Sequence, residues 1–374
     1  YKSTYINMMS FLPLISINVK ILKFWSYILV HNWRRYFCFT GAIFLNFTQF
    51  LDMYYITDPI DVIIRNTYFL VLWFNTITRA LYLTFNHRRF ERFMENMETL
   101  AFGDEDINDL LDTTTKNSRQ LSKFNLFLGI LVSVGFSLYP QFSGTRILPF
   151  GSTVPGVNKY ESPYYEIFYT YQFLITPIGC CMYIPFTSLV VTFIMFGVVM
   201  EKVLQKRLRN LKELNNSEEK LNARIMWCIE YHEKIIEYVR ELNGLTSYLS
   251  LLEFLTFGAT LCALLFLLNM VINSFMQAGI VIAYILMIFT QIYATYWNAN
   301  ELYEESFNIA EAAYDTPWFE FSCQTQKSLM LIIVRAQRPL SLKVGDFASM
   351  NLEVFQSLMK ASYTYFTLLR KFYG

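Results

Sequence analysis

Six stretches of the chain stay apolar long enough to cross a bilayer, which takes about 20 residues of helix. They are residues 36–56, 61–83, 124–139 (the shortest), 164–200, 249–272 and 278–297. The fourth overshoots one crossing, so its C-terminal part is expected to project into water as a stalk. Pro177 and Pro185 inside it predict a kink, because each removes a backbone donor. The apolar run near residues 11–19 is too short for a span and is followed by lysines, so no cleavable signal is expected there.

A seventh stretch, 347–372, is more polar. Set on a helix at about 100° per residue, Ser349, Glu353, Gln356, Ser357, Lys360, Thr364, Thr367 and Lys371 fall within about 60° of one line. Val354, Phe355, Leu358, Tyr365, Phe366 and Leu369 occupy the other side, with Asn351 and Ser362 as exceptions. Polar groups cannot face lipid cheaply, so this stripe faces other helices or water. It suits a pore-lining helix repeated around an axis, or a helix buried in a bundle with its polar groups bonded to neighbours. Glu353 and Lys360 could pair two turns apart.

Two charged helical stretches separate the spans. Residues 201–241 mix acids, bases and apolar residues at helical spacing, and Asn243-Gly244 beyond them reads as a helix stop. Residues 298–346 contain Thr316-Pro317, which predicts an N-cap and first helical position. The apolar run 329–334 that follows is too short to cross, and predicts a membrane-proximal helix.

Charge fixes the orientation. Of 31 Lys and Arg, Arg146, Lys159, Arg370 and Lys371 fall on one side of the spans, and Arg65, Arg79 and Lys360 lie within them. The other 24 share the side of the N-terminus, which the positive-inside rule makes cytoplasmic. The prediction is an all-α membrane protein of seven transmembrane helices, N-terminus cytoplasmic and C-terminus extracellular, with a helical cytoplasmic anchor. Its parts are a cytoplasmic segment (1–35), spans one to four (36–200), anchor helices (201–248), spans five and six (249–297), a further anchor helix (298–346), and the seventh span with a short tail (347–374).

The composition narrows the function. Hydrophobic residues make up 54% and charged ones 16%, against about a quarter charged in soluble chains. Net charge is +1, so nothing calls for nucleic acid. Six cysteines and three histidines show no metal-ligand spacing; Cys228 and His232 are four apart on a charged helix, where core packing is expected. No enzyme activity, cofactor or metal is predicted. G-protein-coupled receptors also have seven spans, but their N-terminus is outside. They carry a disulfide from the third span to an outer loop and an Asp-Arg-Tyr triplet ending that span. Here no cysteine lies in an outer segment, and the third span ends at Tyr139-Pro140.

The segment Ser362-Tyr363-Thr364-Tyr365-Phe366-Thr367-Leu368-Leu369 resembles the C-terminal signature of insect odorant receptors. Topology, the long second intracellular connection and the short polar seventh span extend that resemblance over the whole chain. Gustatory receptors show Thr-Tyr, five residues, then Gln-Phe; here Thr364-Tyr365 leads to Lys371-Phe372, without the glutamine. The co-receptor's intracellular insertion and its usual ending are also missing, so the chain resembles a ligand-specific tuning subunit.

The resemblance implies a ligand-gated, non-selective cation channel of four subunits around one pore, assembled with odorant co-receptor subunits in membrane lipid. It implies a plasma-membrane location in sensory dendrites. Alternatives are a gustatory-type homomeric channel, or a seven-span receptor that signals without conducting. By motif the hydrophobic gate falls on Leu368 and Phe372, with Lys371 beside it; Lys360, Thr364 and Thr367 complete the pore face. Four copies of Lys371 at the mouth would repel cations, so co-receptor subunits are expected to dominate the pore.

The resemblance also implies a cavity for a small volatile odorant in the outer half of spans two to six. The candidates are Arg65, Tyr68, Phe69 and Trp73 on span two, and Val132, Gly135, Phe136 and Tyr139 on span three. Span four offers Tyr169, Gln172, Phe173 and Thr176, and span six Ile280, Val281 and Tyr284. Rings with polar tips suit an aromatic or weakly polar odorant. Arg65 is expected to pair with Asp61 or Asp52.

Overall fold

In the computed structural model, which describes residues 13–29, 32–55, 60–101, 105–142, 146–214, 218–270 and 275–373, the apolar stretches are helices that run well past a bilayer. In chain order these are α1 (Ser16–Phe24), α2 (Trp33–Tyr54), α3 (Ile60–Phe85), α4 (His87–Ala101), α5 (Glu105–Phe142), α6 (Tyr164–Arg209), α7 (Glu218–Met270), α8 (Phe275–Tyr314), α9 (Cys323–Ala336) and α10 (Leu352–Tyr373). A two-residue ladder, β1 (Lys343–Val344) against β2 (Ala348–Ser349), is antiparallel.

The seven expected spans are α2, α3, α5, α6, α7, α8 and α10. By length and hydropathy alone, the segments of α5, α6, α7 and α8 qualify. α3 carries Arg65, Asn66, Asn75 and Arg79, all buried; polar groups turned inward lower its hydropathy without meeting lipid. α6 is the central column, and 83% of its most apolar window is buried. It packs against α5 and α8 along its length and against α1, α3 and α7. It continues as one helix through Pro177 and Pro185.

Three boundaries differ from expectation. Asn243-Gly244 does not stop a helix: α7 runs through it for 53 residues. A helical glycine costs only about 1 kcal/mol, and Leu242 and Leu245 on either side are fully buried. Asn243 Oδ1 also accepts the Lys343 N–H at 2.9 Å. Packing outweighs the local stop signal.

Thr316-Pro317 does not start a helix either. The Thr316 hydroxyl turns back to the Ala313 carbonyl at 2.7 Å. A 3-10 turn, Trp318–Glu320, and an extended Phe321 intervene. α9 then begins at Cys323, with Ser322 Oγ 3.0 Å from Thr325 Oγ1. α9 buries Leu329 and Ile332 and exposes Met330 and Leu331.

α10 begins at Leu352 rather than 347. Gly345, at φ +59°, turns the chain between β1 and β2, and Asn351 Oδ1 accepts the Val354 N–H at 2.9 Å as a helix cap. Asn351 and Ser362, the two exceptions to the stripe, are thereby explained. The first is a cap. The second is buried with its hydroxyl on the Leu358 carbonyl, against Gly258 of α7.

Below the spans, the ends of α6 and α8 are joined by Lys202–Glu301 at 2.6 Å and Lys202–Glu305 at 3.6 Å. Glu201 beside them is fully buried, and neither carboxyl oxygen is hydrogen-bonded. Burial and then the neighbouring Glu305 push its carboxyl well above the usual carboxylate range. Cys228 and His232 are buried in α7; burial, helped by Arg335, lowers the imidazole to about 4. Both behave as core residues.

Candidate functional site

α3, α5, α6 and α8 enclose a cluster of rings in the half of the bundle away from the anchor. Phe69 lies at its centre. Its ring centroid is 4.4 Å from Tyr68, 5.0 Å from Phe136, 4.2 Å from Phe150 and 6.3 Å from Tyr284. Tyr68 and Tyr284 are each 1% exposed, and neither hydroxyl has a hydrogen-bond partner. Two unmet hydroxyls among apolar rings are costly unless something else satisfies them. Ser133 and Ser137, on the same stretch of α5, also have buried hydroxyl oxygens without partners.

Against this cluster is a small cavity of about 60 Å3, lined by Phe69, Trp73, Phe150, Tyr183, Met287 and, at its small-residue wall, Thr176 and Gly179. Small-molecule sites span about 300–1,000 Å3, so this space is too small for one as it stands. Gly179 is required here: a Cβ would come within 2.5 Å of the Trp73 ring.

The structure sorts the predicted residues. Phe69, Trp73 and Thr176 line the cavity, with Tyr68, Phe136 and Tyr284 in the adjoining ring cluster. Val132 and Val281 are buried in the same core. Gly135 lets α5 approach Ile280, whose Cγ1 would be 3.2 Å from an added Cβ. Tyr139 ties α5 to α8 through Gln277 at 3.1 Å, and Tyr169 donates to the Ser137 carbonyl at 2.8 Å. Phe173 stands apart, 39% exposed on the outward face of α6 beside Leu174.

Gln172 has a different employment. Its amide accepts from Phe150 N at 3.0 Å and donates to Phe150 O at 3.1 Å, fixing the outer connection between α5 and α6 over the rings. Phe150 was not foreseen, because a lone aromatic in a turn-rich connection gives no periodic signal. Tyr183, Met287 and Gly179 were likewise hidden among ordinary span residues.

That connection is held by Asp52 of α2. Its carboxylate takes Lys159 Nζ at 2.7 Å, Asn66 Nδ2 at 2.7 Å and the Thr153 hydroxyl, while Asn66 Oδ1 accepts the Gly151 N–H at 2.7 Å. A Cβ at Gly151 would collide with both Asn66 and Asp52. The expected Arg65 pair is therefore not with Asp52; the side chain of Asp61 lies outside the described residues. Arg65 opens instead on a second, outer cavity.

Behind the inner cavity lies a charged junction. The Arg79 guanidinium packs over the Tyr183 ring at 4.8 Å. It donates to Asn75 Oδ1 at 2.9 Å and Thr187 Oγ1 at 3.0 Å, and pairs with Glu253 of α7 at 3.2 Å. Asn75 reaches Thr256 of α7 at 3.0 Å. One buried cation thus joins α3, the cavity wall on α6, and α7.

α7 in turn carries α10, and at Gly258 an added Cβ would be 3.2 Å from Leu358. Beyond that contact an open apolar groove of about 1140 Å3 separates α10 from α3 and α7. Of the polar stripe, Ser357 lines the groove, while Glu353, Lys360, Thr364, Thr367 and Lys371 lie outside its wall and are all exposed in the single chain. Glu353 and Lys360 form no ion pair, and the Thr364 and Thr367 hydroxyls bond back to their own helix. Leu368 is 52% exposed on the groove side. The side chain of Phe372 lies outside the described ones.

The family model described as 7tm Odorant receptor matches residues 60–363. Odorant receptor 30a of Drosophila melanogaster is 45% identical over 370 residues, 97% of either chain. Odorant receptor 10 of Aedes albopictus is 46% identical over 369 residues, 97% of this chain and 98% of that one. In fold, the chain is similar to the insect olfactory receptor OR5 of Machilis hrabei solved in complex with eugenol. The TM-score is 0.83 at 18% identity, over 98% of this chain and 99% of that one.

Proposed function

Because the chain belongs to the 7tm odorant receptor family, we propose that it is the odorant-binding subunit of a heteromeric, ligand-gated, non-selective cation channel. It is a membrane receptor and not an enzyme. In this reading it assembles with odorant co-receptor subunits in the plasma membrane of a sensory dendrite, surrounded by lipid. α10 lines the pore with Lys360, Thr364, Thr367, Lys371 and the gate pair Leu368 and Phe372.

The carrying observation is the small ring-lined cavity beside the buried Tyr68 and Tyr284, whose hydroxyls have no hydrogen-bond partner. A small aromatic volatile with one polar atom would stack on Phe69 and Trp73 and satisfy Tyr68 or Tyr284. Opening about 60 Å3 to ligand size needs the Tyr183, Trp73 and Met287 side chains to move. Tyr183 rests on Arg79, so cavity opening pushes on the junction that leads to α7 and α10.

Voltage-clamp recording tests the reading. Cells expressing the chain with a co-receptor should show odorant-evoked cation current, and cells expressing it alone should show almost none, because four Lys371 side chains face the mouth. Equal current from the chain alone overturns the heteromeric part. Absence of evoked current in both, with surface expression verified, overturns the channel.

Tyr284→Phe gives a second, two-sided expectation. Removing an unsatisfied buried hydroxyl should leave stability unchanged or raise it by about 1 kcal/mol. Sensitivity to a hydrogen-bonding aromatic odorant should fall about tenfold, the scale of one hydrogen bond, with little change for an aromatic hydrocarbon. Thermal denaturation and dose–response curves read the two halves. A destabilised variant would mean the hydroxyl already has a partner in the resting protein.

A further inference from the structure

The outer connection that lays Phe150 over the inner cavity also walls a second one, about 330 Å3, which shares Phe150 with it. Three cations line this outer space, Arg65, Arg146 and Lys159, and no carboxylate lines it among the described residues. Two of the three are engaged. Lys159 is paired with Asp52 at 2.7 Å. Arg146 donates to the Tyr160 carbonyl at 3.4 Å and lies over the Tyr165 ring.

Arg65 is different. It is 7% exposed, its Nε makes no hydrogen bond, and it forms no ion pair with any described residue. A desolvated guanidinium without a counter-charge is costly, and its fork of donors matches a carboxylate edge. The rest of the wall supplies apolar surface from Leu148, Phe150 and the Tyr160 ring. The volume is at the lower end of the range of small-ligand sites, ample for a bare halide and sufficient for a compact organic ion.

We infer that this outer cavity is a binding site for a small organic monocarboxylate, its carboxylate on Arg65 and Arg146 and its apolar body against Leu148 and Phe150. The site stands on its own residues and does not depend on the chain conducting. An occupant would brace Phe150 from outside, where Gln172 already clamps it, and so oppose opening of the inner cavity.

The test is direct binding. The full chain, purified in lipid nanodiscs near neutral pH, is titrated with benzoate and followed by ligand-observed saturation-transfer NMR, with benzyl alcohol and sodium chloride as competitors. Benzoate should bind, and Arg65→Gln should weaken it at least about tenfold, the scale of a charge-assisted hydrogen bond. Arg65→Lys should recover part of the loss, since charge without the fork remains. Arg146→Gln should weaken binding less, and keeps the test intact if Arg65→Gln folds poorly. Benzyl alcohol, the same ring without the charge, should not displace benzoate. No benzoate binding, equal binding to Arg65→Gln, or displacement by benzyl alcohol overturns the proposal. Full displacement by chloride at physiological strength also overturns it, in favour of an inorganic anion.

Discussion

Glu253→Gln should cost about 3–5 kcal/mol of stability, because it leaves the buried Arg79 charge without its partner. The guanidinium is 3% exposed and the carboxylate 14%, and the remaining contacts of Arg79, to Asn75 and Thr187, are neutral. Water cannot replace the missing charge at that depth. The loss should appear as a lower melting temperature in fluorescence-detected size-exclusion chromatography and as reduced surface protein. The double variant Arg79→Met with Glu253→Leu should recover most of it, since apolar groups of similar volume often match a buried pair in stability. It should nonetheless respond poorly to odorant, having lost the cation that couples Tyr183 to α7. Wild-type stability in Glu253→Gln would sink the claim that the pair is desolvated.

The second large effect is expected at Asp52→Ala. That carboxylate gathers Lys159, Thr153 and Asn66, and through Asn66 it holds Gly151 next to Phe150. Removing it strands Lys159, which is only 13% exposed, and frees the connection over the cavity. A loss of about 3 kcal/mol is expected, concentrated in one region. Hydrogen–deuterium exchange should rise across residues 146–160 far more than in α6 or α7. Asp52→Asn, which keeps the shape and loses the charge, should fall between. Uniform exchange throughout the chain would show that the connection is held by something other than this hub.

Most helices could be read from the sequence, because burial in lipid and in protein demands the same apolar run. What failed were signals that tertiary packing can override. Gly244 and Pro317 are local cues worth about a kcal/mol or so, and each met a stronger neighbour: the buried Leu242 and Leu245 in one case, the backward-bonded Thr316 in the other. The polar stripe of α10 was legible because it is periodic, and even its exceptions proved informative. The candidate site was half legible. Phe69, Trp73, Thr176 and the two tyrosines fall in the outer half of the spans, where the resemblance implies a cavity, whereas Phe150 comes from a connection without periodicity. The partners of Arg79 and Asp52 lie far along the chain, where sequence spacing carries no information about contact.

The length of α7 has a mechanical meaning. Its 53 residues make a rod of about 80 Å, of which the bilayer core takes about 30 Å. Glu253 and Gly258 fall in its expected span, Cys228 and His232 in the charged stretch expected to form the anchor. A rod hydrogen-bonded throughout cannot absorb a tilt along the way. Pivoting by about 5° at one end sweeps the other by about 7 Å. A sub-ångström push from the ring-lined cavity, applied near the fulcrum, would therefore be felt as gearing: small travel with high force at α10, large travel with low force among the cytoplasmic helices.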